Sequence, residues 1–183
     1  MAKLALFGTL ASNVVVPSAS AFILYSFLPH NLIYIWLFLH IILFIGRVIF
    51  SKKLLYLLKK SDSQKNIQEY FILYLIATLL TGTLYAVIVW FIYIYNVPDL
   101  YVFLMIVLII LIASSSISTL GSTVITFILF VSLSITPLII LALFHGGEIF
   151  LTLALFLFFY IILHLVFGFL QYIILRNAAF LEE

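Results

Sequence analysis

Ala113-Ser114-Ser115-Ser116-Ile117-Ser118-Thr119-Leu120-Gly121-Ser122-Thr123 interrupts an apolar run that otherwise extends from about Leu100 to Phe144. Read as a tight turn at Ser118 to Ser122, it divides the run into two helices and brings the chain to six. Read as continuous helix, with serine and threonine bonding their own backbone, it leaves five. The question matters because everything around this stretch is apolar: 67% of the 183 residues are hydrophobic and 8% charged, where a soluble domain is about half apolar and a quarter charged. A bilayer crossing takes about 20 apolar residues, so the length holds five or six crossings. There is no cysteine, which excludes disulfides, cysteine-ligated metals, iron–sulfur clusters and thiol catalysis.

Working outward, helix 4 spans about Leu100 to Ser116 and helix 5 about Thr123 to Phe144, with Pro137 inside it. Asn96-Val97-Pro98-Asp99 turns the chain between helix 3, about Phe71 to Tyr95, and helix 4; His145-Gly146-Gly147-Glu148 turns it before helix 6, about Ile149 to Leu175. Helix 1, about Leu4 to Phe27, is interrupted by Ser12, Asn13 and Pro17 and reads as a retained span, because no polar mature start follows it. Pro29-His30-Asn31 makes a short turn into helix 2, about Leu32 to Phe50. No soluble second domain or fixed-period repeat is present. The loops of the two three-helix halves do not match, which disfavours an inverted-repeat transporter.

Six helices place Lys3, Arg47, Lys52, Lys53, Lys59, Lys60, Lys65 and Arg176, all eight cations of the chain, on one side of the membrane. By the positive-inside rule that side is cytoplasmic, and both termini are expected there. Beyond helix 2, Lys52, Lys53, Tyr56, Lys59 and Lys60 share one helical face and Leu54, Leu55, Leu57 and Leu58 the other. The helix is therefore expected to continue past the bilayer or bend into its surface, with lysines against anionic head groups.

Polar residues inside membrane spans are costly unless they face protein or water, so they are the best pointers to function. Trp36, His40 and Arg47 fall on one face of helix 2, and Tyr160, His164, Gly168 and Gln171 form a similar stripe on helix 6. Helix 3 offers Thr78, Thr81, Gly82 and Tyr85. We expect Trp36, His40, Arg47, Tyr85, Tyr160 and His164 to line or couple a ligand pocket. Packed, hydrogen-bonded interior histidines are expected at His40 and His164, with a haem held between them as an alternative, although the two lie at different depths in their helices. No other cofactor is expected. On the opposite side, His30, Asp99, His145 and Glu148 are weak candidates for a divalent metal; no two of them have a diagnostic ligand spacing, and they read first as ordinary solvated turn residues.

Arg47 has no acid within any span and is expected to snorkel to phosphate or cap helix-end carbonyls. A mid-membrane carboxylate, the mark of a proton or ion pump, is missing. So are the nucleophile elbow, the phosphate-binding glycine loop, HExxH and paired carboxylates. No catalytic residue is assigned, and neither an enzymatic activity nor a nucleic-acid partner is expected.

The order of features resembles the six-helix MASE-type membrane sensor domains at the N-terminus of bacterial histidine kinases and GGDEF diguanylate cyclases. The residues that carry it are Leu28-Pro29 before a helix with Trp36 and ending in Arg47, a basic loop, Thr81-Gly82-Thr83-Leu84-Tyr85, the small-residue segment Ala113 to Thr123, Pro137 and Gly146-Gly147. Tyr85 stands where such domains usually carry tryptophan. The resemblance implies an all-α, polytopic bundle in the bacterial inner membrane over residues 1–176. Residues 177–183 would begin a cytoplasmic signalling helix that leads to an output domain, and the module would be a homodimer. Its stimulus would be a small or hydrophobic ligand or a property of the surrounding lipids. The alternative expectation is a substrate-binding subunit of a small-molecule uptake transporter.

Overall fold

The computed structural model describes residues 8–60, 64–120 and 124–180. These form six helices: α1, Gly8–Leu24; α2, His30–Lys59; α3, Gln64–Ile94; α4, Asp99–Leu120; α5, Val124–His145; and α6, Gly147–Phe180. Among the described residues there is no strand. The Ser/Thr-rich stretch is split differently from the sequence expectation. Ser118 to Leu120 complete the last turn of α4, α5 begins at Val124, and the expected turn residues Gly121 and Ser122 lie outside the described residues. Serines there stay helical because they bond their own backbone, Ser115 to the Ile112 carbonyl at 2.9 Å and Ser116 to the Ala113 carbonyl at 2.6 Å.

Five of the helices are long and apolar enough to cross a membrane, and α1 is a shorter apolar helix. Large apolar side chains point outward from every helix, among them Phe22, Phe38, Leu80, Leu111, Ile125 and Leu155. A soluble protein rarely exposes such a surface, whereas acyl chains solvate it. The chain is a multi-pass helical membrane protein.

Helices α3 and α5 form the central pair, with α2 on the flank of α3 and α6 on the flank of α5. Helix α1 slots between α2 and α4, and α4 closes against α5 and α6. Gly82 permits the central crossing: a Cβ there would meet Leu133 Cβ at 3.3 Å and the Phe130 carbonyl at 3.5 Å.

The connections at one end of the bundle are short: residues 25–29, residues 95–98, and Gly146 alone. Asn96 (φ 48°) takes the left-handed conformation that asparagine tolerates, and Gly146 (φ 71°) and Gly147 (φ 77°) allow a one-residue link. These turns hold α2, α4 and α6 to a common starting level. Helices α4 and α5 have 22 residues each, while α2 has 30, α3 has 31 and α6 has 34. At 1.5 Å per residue α6 reaches about 50 Å, well beyond a hydrocarbon core of about 30 Å even when tilted. The surplus length of α2, α3 and α6 projects at the end opposite the short turns. That end carries the lysines: Lys52 and Lys53 are exposed, and Lys53 Nζ lies over the rings of Tyr56 (5.4 Å) and Tyr70 (5.9 Å). Helix α2 thus continues unbroken past its apolar span to Lys59, with Leu57 packed inward.

Candidate functional site

The interruption in α1 organises a buried polar cluster. Residues Ala11–Val15 form a π-turn, in which the Val16 N–H reaches back to the Ala11 carbonyl. Widening the turn by one residue shifts the bonding partners along the helix. The Ser12 carbonyl would next look to residue 17, which is Pro17 and has no N–H. The hydroxyl of Tyr85, on α3, donates to that carbonyl instead. Asn13 is locked by a bond from its amide to the Thr9 carbonyl (3.1 Å), while its Oδ1 accepts from the Thr81 hydroxyl (3.0 Å). The bulge in one helix is therefore stitched to α3 by two hydroxyls.

Arg47 enters the same cluster from α2. It does not snorkel: it is 3% exposed and donates to Ser12 Oγ (3.2 Å) and to the Tyr74 hydroxyl (3.5 Å), with its guanidinium 5.5 Å from the Tyr74 ring centroid. Turning inward, Arg47 satisfies part of its fork on the hydroxyls of Ser12 and Tyr74. Among the described residues only neutral hydroxyls meet the charge, and Arg47 Nε has no partner there. Among the described residues the single ion pair is elsewhere, between His145 and Asp99 at 3.2 Å. A small cleft beside Arg47 is lined by Gly8, Ser12, Ile112, Ser115, Ser116 and Phe130.

One to two turns along α2, His40 is fully buried beside Trp36 (ring centroids 4.6 Å) and Tyr85 (5.0 Å). Trp36 is held by a bond from its indole N–H to the Leu84 carbonyl at 2.9 Å. Neither ring nitrogen of His40 has a hydrogen-bond partner, so the expectation of a hydrogen-bonded interior histidine does not hold at this position.

Tyr160 and His164 are brought together, but in a second cluster. Their rings are in tilted contact with centroids 3.8 Å apart, and the Tyr160 hydroxyl bonds the Ile110 carbonyl (3.0 Å) and Ser114 (2.6 Å) on α4. His164 Nδ1 lies 3.2 Å from the Tyr160 carbonyl one turn back, and Nε2 has no partner. The stripe continues at Gly168, where a Cβ would meet the Phe127 ring at 2.1 Å. Trp36, His40, Arg47 and Tyr85 thus share one cluster between α1, α2 and α3. Tyr160 and His164 belong to another, between α4 and α6, and each histidine has its own ring neighbours.

The weak metal candidates are distributed by the turns. His145 pairs with Asp99, while His30 stacks on Tyr25 with ring centroids 4.1 Å apart. Among the described residues no three of His, Cys, Asp and Glu converge.

Ser12, Asn13 and Tyr74 are not site residues in the sequence reading, and Thr81 enters it only as one of the polar residues of helix 3. The polar pair inside an apolar α1 was the available sign. Comparison with protein-family models, curated proteins and solved structures finds no match to this chain.

Proposed function

We propose that the chain is a sensory module of the bacterial inner membrane, with both termini in the cytoplasm, in which the α1–α2–α3 cluster binds a small or hydrophobic ligand and α6 carries the response. The observation that carries this reading is the uncompensated polarity of the cluster. A buried polar group without a partner costs about 1–3 kcal/mol and a charge costs more, so His40 and Arg47 mark a place where a ligand recovers what the bundle alone leaves unsatisfied. The central α3–α5 contact connects this cluster to α6. A single helix of 34 residues, projecting on the basic side, is suited to pass a shift or rotation to an output domain such as a diguanylate cyclase or histidine kinase. Such outputs act in pairs, so a second copy is the expected partner.

The test is a fusion of the chain, continued in helical phase beyond α6, to a diguanylate cyclase. His40→Gln and Tyr85→Phe should each change cyclase output by roughly fivefold or more, the lower end of ordinary allosteric coupling. Leu155→Ala, on the lipid-facing surface, should leave output and membrane insertion unchanged. Equal output from all three would overturn the sensory reading and favour a substrate-binding uptake subunit.

A further inference from the structure

We propose that the cleft beside Arg47 is an oxyanion-binding site, which takes the carboxylate of a small acid or the phosphate of a lipid head group. The inference does not depend on signalling. Its first support is charge. Arg47 is held inside the bundle at 3% exposure with two hydroxyl partners, and among the described residues no carboxylate pairs with it. A guanidinium so placed retains most of its attraction for an anion, because low-dielectric surroundings screen little.

The second support is geometry. Arg47 lines the cleft, and its buried, unpartnered Nε is the donor left over after Ser12 and Tyr74 are met. A guanidinium offers adjacent N–H groups as a fork that matches two oxygens of a carboxylate or phosphate. The opposite wall is Ser115 and Ser116 of α4. Their hydroxyls bond carbonyls of their own helix, and a hydroxyl can rotate its proton toward an arriving anion.

The third support is size and sign. The cleft is narrow, with room for about one ordered water, so it admits an oxygen of the anionic group and leaves the rest of the ligand outside. A cation is excluded by Arg47 itself. Ile112 and Phe130 complete the wall and keep competing water few.

Two arms identify the source. Calorimetric titration of the detergent-solubilised protein with sodium acetate and with inorganic phosphate reads a soluble anion. Native mass spectrometry from phosphatidylcholine nanodiscs with and without phosphatidylglycerol reads a lipid. We expect saturable binding in at least one arm, weakened about tenfold or more in Arg47→Gln, as for loss of a charge-assisted hydrogen bond. Ser116→Leu keeps Arg47 but fills the cleft and should weaken binding similarly, which covers the case in which Arg47→Gln does not fold. Absence of binding in both arms, or binding undiminished in Ser116→Leu, overturns the proposal.

Discussion

His40 and His164 look alike in the sequence, each on a polar stripe of an apolar helix, yet the bundle treats them differently. His40 sits at 0% exposure among Trp36, Tyr85 and the bulged α1, with both nitrogens unpartnered. His164 keeps one nitrogen against the Tyr160 carbonyl of its own helix and packs its ring on a tyrosine whose hydroxyl is doubly bonded to α4. The α4–α6 cluster is largely closed in hydrogen-bonding terms and reads as a fastening between helices. The α1–α3 cluster is left open at His40 and Arg47. Stability and function are therefore expected to separate between the two regions.

The largest effect should come from the fastened side. Gly168→Leu forces a side chain into the Phe127 ring, and overpacking of this kind costs about 3 kcal/mol; thermal unfolding in detergent should fall sharply, and an unchanged midpoint would show that α5 and α6 are not held as described. Tyr85→Phe removes the only donor we find for the Ser12 carbonyl among the described residues, at a cost of about 1–3 kcal/mol. Ser12→Ala in the Tyr85→Phe background should add a separate loss of about 1–3 kcal/mol, because it removes the hydroxyl that accepts from buried Arg47 and leaves the carbonyl that meets Tyr85.

The comparison is sharpest in the two histidines. His40→Leu replaces a ring with no partner by an apolar side chain and should stabilise the unliganded protein by about 1 kcal/mol, while impairing the fusion's response. His164→Leu removes one partnered and one unpartnered nitrogen, so its effect on the midpoint should be within about 0.5 kcal/mol. Equal shifts from the two substitutions would remove the distinction between an open and a closed cluster.

Much of the fold was legible because lipid makes hydropathy decisive. The turns at Asn96 and at Gly146-Gly147 and the continuation of α2 follow from apolar lengths, a few turn residues and the amphipathic lysine segment, while six helices rather than five follow from the side on which the cations fall. The interior was less legible. Tyr85, Trp36, His40 and Arg47 could be placed on faces by periodicity, but periodicity does not say which faces meet. It left open that Tyr160 and His164 join α4 instead. Arg47 was expected at the lipid interface, since the hydroxyls of Ser12 and Tyr74 that draw it inward lie 35 and 27 residues away in the chain.

By itself, then, the sequence determined a membrane-spanning helical bundle, with its cations concentrated toward one end. Composition and charge suffice for that, since each residue's transfer between water and lipid is nearly independent of its neighbours. Only the tertiary structure decided which polar groups are satisfied. The π-turn at Ala11–Val15 matters because Pro17 withholds a donor, Tyr85 happens to reach the freed carbonyl, and Arg47 finds hydroxyls but no carboxylate among the described residues. Hydrogen bonds are short and directional, so their accounting is settled by the relative placement of helices.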